Sequence, residues 1–185
     1  GTVLVKDIRS GSSSSGPENF CVVGNNLFFT ASDGSNGTEL WKTDGTSSGT
    51  VLVKDIRSGS SSSSPFGLIN GNGKLYFGAD DGTDGRELWV SDGTSSGTTL
   101  YEDLNSGSGD ALEEDFFGGY GYTFFNLNSR LLFNATDGST GLELYSISIA
   151  PYITGVTSST SNGTYPVGDV INLSVAFSES VDVVT

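Results

Sequence analysis

A self-repeat of 48 residues limits what this chain can fold into before any other feature does. Gly1–Ser15 reads GTVLVKDIRSGSSSS, and Gly49–Ser63 repeats it residue for residue. A weaker third copy, GTTLYEDLNSGSG, starts at Gly97, again 48 positions on. A second block keeps step with the first. Leu27-Phe28-Phe29 is answered by Leu75-Tyr76-Phe77, and Glu39-Leu40-Trp41 by Glu87-Leu88-Trp89. Leu131-Leu132-Phe133 and Glu143-Leu144-Tyr145 follow after 56 residues, so eight extra residues lie between Asp103 and Leu131, around GDALEEDFFGGYG. No further copy follows Tyr145.

Each unit holds four short apolar runs. In the second they are Thr50–Ile56, Phe66–Asn70, Lys74–Ala79 and Arg86–Ser91, rich in β-branched and aromatic residues and too short for helices. Leu75-Tyr76-Phe77 and Val51-Leu52-Val53 do not alternate with polar residues, as expected of strands covered on both faces. Asn-Gly, Asp-Gly and glycine-rich pieces separate the runs. Glycine supplies 27 of the 185 residues and hydrophobic side chains only 35%, a balance that suits short strands joined by many turns. Four strands per unit, in tandem, is the arithmetic of a β-propeller blade. Solenoid coils are usually shorter, and a sandwich has no need of tandem self-similarity.

The expected fold is therefore all-β. About three tandem four-stranded β-propeller-like blades occupy residues 1–150, and the first strands of an Ig-like sandwich occupy 151–185. The TDGTSSGT link is short enough for a hairpin, so each LVKDI run is the outer strand of the blade that precedes it. The serine-rich stretches Ser10–Ser15 and Ser58–Ser64 then cross between blades. On this phasing Gly1–Ile8 is an outer strand without its own blade, and the third blade lacks an outer strand. A ring closed by the N-terminal strand would satisfy both ends. Because propellers carry about 4–8 blades, the expectation is instead a piece of a longer array.

Composition removes whole classes of function. With 22 acidic and 8 basic residues the net charge is -14. No basic cluster is present to displace counterions from nucleic acid, and an anionic membrane repels such a chain. Histidine is absent and there is one cysteine, which excludes Ser-His-Asp and Cys-His catalysis, His-ligated zinc and an internal disulfide. No stretch reaches the ~20 apolar residues of a membrane span, so no membrane insertion is expected.

Glu39-Leu40-Trp41-Lys42-Thr43-Asp44-Gly45-Thr46 and Glu87-Leu88-Trp89-Val90-Ser91-Asp92-Gly93-Thr94, with the LVKDI run and the DGxxGxEL spacing at 33–40 and 81–88, resemble the bacterial ELWxxDGT repeat proteins. The resemblance covers about residues 1–146. It implies a secreted or cell-surface location, a β-propeller-like module and no established catalytic residues. The third unit departs from the pattern, since Tyr145 replaces the tryptophan and no DGT follows. From Pro151 the chain changes character. Tyr165-Pro166-Val167-Gly168-Asp169 and the alternating run Ile171–Phe177 are similar to the opening of bacterial Ig-like repeats.

The loop before each ELW is the main candidate for chemistry. Asp33 and Glu39 in the first copy, and Asp80, Asp81, Asp84 and Glu87 in the second, gather carboxylates of the kind Ca²⁺ takes in sets of six to eight oxygens. The competing reading is a turn, in which aspartate accepts backbone N–H bonds and glycine supplies positive φ. The EF-hand pattern is not met. Asp44-Gly45-Thr46 and Asp92-Gly93-Thr94 read as hairpin ties, because repetition at equivalent positions favours a scaffold role. Trp41 and Trp89 could stack on sugars, but a large aromatic at one place in each unit reads as filler between blades. Cys21 aligns with Ile69 and reads as a small buried hydrophobe. The insert Gly109–Gly121 carries Asp110, Glu113, Glu114 and Asp115 and is the one asymmetric element, a solvated loop, a ligand contact or an acidic pair for glycoside hydrolysis.

The functional expectation is a non-enzymatic extracellular repeat module with a structural or adhesive role. Its partners would be an extracellular glycan or protein and adjacent repeats of a longer parent chain. The alternative is a calcium-dependent carbohydrate-binding module, with calcium as the one candidate cofactor.

Overall fold

Asn72 and Gly73 show how the chain turns. Both take positive φ, +49° and +85°, the backbone of a type I′ turn whose twist matches the strands on either side. Asn-Gly adopts it at little cost, and it joins β5 (Phe66–Gly71) to β6 (Lys74–Asp80). The computed structural model describes residues 1–112, 124–149, 153–158, 160, 165–167 and 169–177, and it holds no helix among them.

Three antiparallel sheets follow the repeat. The first unit is β1 (Glu18–Val23), β2 (Asn26–Ser32), β3 (Thr38–Thr43) and β4 (Val51–Lys54), neighbours in that order. The second is β5, β6, β7 (Arg86–Ser91) and β8 (Thr99–Glu102), again in chain order. The third has three strands, β9 (Phe125–Leu127), β10 (Arg130–Ala135) and β11 (Glu143–Ser148), with β10 in the middle. Register repeats with them: Phe29 pairs with Trp41, Phe77 with Trp89 and Phe133 with Tyr145.

The LVKDI run and the ELW run share a sheet, and the serine-rich stretch leads to the next one. The strand is shorter than the run, however. It ends at Lys54 because the amide of Ile56 leaves the ladder and donates to the Glu39 carboxylate. Residues 1–17 hold no strand, although the sequence places an outer strand at Gly1–Ile8. Nor does this segment close a ring, since among the described residues β11 pairs with β10 alone. β12 (Ile153–Ser158) and β13 (Leu173–Phe177) form a separate antiparallel pair. In the Tyr165–Asp169 run the Asp169 amide donates to Pro166 O at 3.2 Å, while Gly168 lies outside the described residues.

Packing explains why the apolar runs are continuous. Leu75, Phe77, Ala79 and Trp89 point from the second unit to the first, where they meet Phe28, Leu40, Val53 and Ile56 in one buried cluster. Tyr76 and Leu88, their immediate neighbours along the strands, point the other way and pack with Leu131, Phe133, Ala135 and Ile149 of the third unit. The second unit is thus covered on both faces. Trp41 faces away from the second unit, with Phe29, Ala31, Leu52 and Ile8. Asn70 Nδ2 donates to Val22 O at 3.2 Å and Asn126 Nδ2 to Asn70 O at 2.6 Å, stitching the first strands of the three units together.

Trp89 is 5% exposed at the first joint, and the Lys54 ammonium lies 5.6 Å from its ring centroid. Trp89→Ala should therefore cost about 3–5 kcal/mol, the range for a buried aromatic whose surroundings collapse only in part. Urea denaturation of the two proteins measures the difference, and coincident curves would contradict this assignment.

Candidate functional site

Each four-stranded unit carries two acidic devices, and both act on the backbone. In the TDGTSSGT hairpin, Asp44 Oδ1 accepts from the Thr46 amide at 2.9 Å and the Thr46 hydroxyl at 2.7 Å. The Thr46 hydroxyl in turn accepts from the Gly49 amide at 2.9 Å, and the Thr50 hydroxyl donates to Thr46 O at 2.7 Å. One period later Asp92, Thr94, Gly97 and Thr98 repeat these bonds at 2.8, 2.7, 2.9 and 2.7 Å. The Thr hydroxyl bonds hold both aspartates below the usual carboxylate range, the amide bonds adding to the effect. Gly97 is needed because a Cβ there would sit 2.1 Å from Asp92 Oδ1. The hairpin is closed on itself.

The second device is a buried glutamate. Glu39 and Glu87 are both 0% exposed, an unusual state for an ionisable group. Glu39 accepts from the Ile56 amide at 3.0 Å, the Ser63 amide at 2.7 Å and the Ser63 hydroxyl. Glu87 accepts from the amides of Leu104 at 3.1 Å, Asn105 at 3.3 Å and Ala111 at 3.2 Å. Each carboxylate thus clasps both ends of the segment that leaves its sheet for the next. Burial raises the Glu39 carboxyl, and it pushes Glu87 up to about 7 against the pull of the Leu104, Asn105 and Ala111 amides.

The remaining calcium candidates separate from these two. Asp33 Oδ1 accepts from the Ser35 and Asn36 amides at 2.8 and 2.9 Å, and Asp81 Oδ1 from those of Thr83 and Asp84 at 2.7 and 3.0 Å. These amides, Asn36 first, hold Asp33 low. Asp80 pairs with Arg57 across the first joint. Asp84 lies beside Asp81, and partial desolvation followed by the charges of Asp81 and Asp103 raises it. Among the described residues no three carboxylate, thiol or imidazole groups converge as a metal-binding set.

Elsewhere, Asp110 accepts from the Arg86 amide at 2.8 Å and pairs with its guanidinium at 3.4 Å. Glu113, Glu114 and Asp115, with the rest of the insert, lie outside the described residues. Cys21 is half-buried beside the first joint, and burial raises its thiol. The cavity beside Glu87, lined by Leu104, Leu112, Phe133 and Tyr145, is about 60 Å³. That is room for two waters, far below a ligand site. Sequence reasoning missed four participants: Ser63, the turn aspartate Asp137 of the third unit, Asp55 and its counterpart Asp103. Asp137 accepts the Ser139 and Thr140 amides at 2.8 Å each. Its DGxxGxE spacing, the same as at Asp33 and Asp81, was the available signal.

The raised Glu87 carboxyl makes stability depend on pH with a definite sign. The folded protein holds the proton more tightly than the unfolded chain, so the protonated group stabilises the fold below about 4.5. That contribution is lost as pH rises through about 7. The stability of the parent relative to Glu87→Gln should therefore decline across that window, measured by denaturant titrations at several pH values. A difference that is flat or rises with pH would refute it. Comparison of the chain with protein-family profiles, with curated proteins and with solved structures found no match in any of the three.

Proposed function

We propose that this chain is a non-enzymatic scaffold: an array of β-propeller-like blades leading into an Ig-like segment, in a secreted or cell-surface bacterial protein of the ELWxxDGT repeat type. One observation carries the reading. The acidic residues that recur with the period, Asp33, Glu39 and Asp44 in the first unit and Asp81, Glu87 and Asp92 in the second, make the same backbone bonds in both. Asp44 and Asp92 do so within 0.1 Å, and Glu39 and Glu87 both reach residues 17 and 24 positions on. Lone pairs already met by N–H groups are not offered to a substrate or a cation. An enzyme, by contrast, concentrates perturbed groups in one asymmetric cleft. The packed joints make a stack of sheets whose outward strands and loops serve adhesion to a glycan or protein.

A second reading, a calcium-dependent carbohydrate-binding module, draws on one feature. Asp55 Oδ1 and Asp103 Oδ1, equivalent by the 48-residue period, are buried and accept no hydrogen bond among the described residues. Each lies near a clasp glutamate and adds to the rise of its carboxyl. Calorimetric titration separates the two. The scaffold reading expects neither heat nor a shift in the thermal midpoint at millimolar Ca²⁺. A stoichiometric signal that disappears in Asp103→Asn would replace it with the calcium reading.

A further inference from the structure

The two joints share one plan, but at four places the residues that latch the first are replaced at the second. Lys54 Nζ donates to Thr98 O at 2.8 Å and lies 5.6 Å from the Trp89 ring centroid. Arg57 pairs with Asp80, and Val53 is 5% exposed within the shared core. The Ser63 hydroxyl gives Glu39 a bond beyond those from the amides. The repeat puts Glu102 in the place of Lys54, Asn105 in that of Arg57, Tyr101 in that of Val53 and Ala111 in that of Ser63. An ionised glutamate donates no hydrogen bond, and alanine has no hydroxyl. Asn105 is neutral, and so is Thr136, which stands in the place of Asp80. Tyr101 is 40% exposed.

The Glu87 clasp is slacker as well. Its amides lie at 3.1, 3.3 and 3.2 Å, against 3.0 and 2.7 Å for Glu39. The Ala111 amide is also divided, since it donates to Arg86 O at 3.1 Å. Glu102 and Tyr145, the counterparts of Lys54 and Trp89, both line the cavity of about 60 Å³ beside Glu87. Space is therefore left at the second joint where a cation meets an indole at the first. The opposite edge of the second joint, along the first strands, is tied. Asn126 Nδ2 donates to Asn70 O at 2.6 Å, and Asn72 Nδ2 to Ile149 O at 3.2 Å.

We infer that the second joint is a hinge, with the seam of β5 and β9 as its axle and an outer side, at β8 and the crossing that follows, that opens and closes. β9, β10 and β11 swing as one body, while the first and second units stay shut on each other. Opening releases the Thr136 amide from Ala111 O and loosens the bonds to Glu87, with no counterpart of the Lys54 or Arg57 contacts to break among the described residues. It uncovers Leu131 and Phe133, which pack with Leu88 when the joint is closed, and that apolar cost keeps the closed state the major one. Motion of this kind needs no pliant linker. A few contacts absent at one edge lower the free energy of local opening below that of unfolding the whole chain. The inference reaches past the scaffold reading, which a joint without play would serve equally and which survives if the hinge fails.

Amide hydrogen exchange of the full chain, resolved by NMR and corrected for intrinsic rates, tests it. Protection at the amides of Leu104, Ala111 and Thr136 should be about tenfold or more below that at Ile56, Ser63 and Asp80, their counterparts at the first joint. The amides of β10 that pair with β11 should keep the higher protection, as a unit that swings without unfolding requires. Ala111→Ser, which returns the hydroxyl that Ser63 gives Glu39, should raise protection at the three amides about fivefold. Adding Asn105→Arg and Thr136→Asp, which rebuild the Arg57–Asp80 pair, should bring them level with the first joint. Equal protection at the two joints of the parent would overturn the hinge. So would β10 amides that exchange together with those of the joint, since the third unit would then be unfolding, or an Ala111→Ser protein in which the three amides gain nothing.

Discussion

A carboxylate with no exposed surface persists only where donors meet its lone pairs, and Glu39 and Glu87 obtain theirs from the main chain. Each leaving segment is held at two points, 17 and 24 residues beyond the glutamate. Serine and glycine alone would leave those crossings loose. Pinned at both ends, they enter the next sheet at a set height, which brings Trp89 against Leu40 and Val53. Replacing the glutamate would strand several buried amides at once, each at a cost of about 1–3 kcal/mol. The spacing of the joints depends on this contact.

The same contact shows what could be read from residues in a row and what could not. The repeat, the antiparallel strands, the hairpin between the ELW and LVKDI runs and the strand bounds at Arg86–Ser91 all follow from local pattern and turn chemistry. So does the burial of Trp89, because a large aromatic recurs where two faces meet. The glutamate clasp was not legible. Its partners are amides, which every residue carries, and they lie far along the chain. Glu39 and Glu87 therefore looked like companions of Asp33 and Asp81, their neighbours in sequence. In space the aspartates turn into their own loops. The early end of β4 escaped for the same reason, since nothing about Asp55-Ile56 announces that its amide is wanted elsewhere.

The third unit shows what remains when parts of the pattern are removed. It keeps the turn aspartate, Asp137, and the register of β10 on β11, with Phe133 opposite Tyr145. It lacks the DGT hairpin, and among the described residues its sheet has three strands. The bond from Thr136 to Ala111 O matches that from Asp80 to Ser63 O, so the crossing from the second unit arrives as the earlier one does. The additional length therefore falls after Ala111, where the chain is already anchored.

Gly49–Ser63 belongs to the first unit by its ladder bonds and to the second by its side chains. A segment shared in this way works as a dovetail. The second sheet cannot be drawn off without uncovering the side chains of the strand that finishes the first, so the pair should melt as one block, and a pull along the chain should meet resistance from both before either yields.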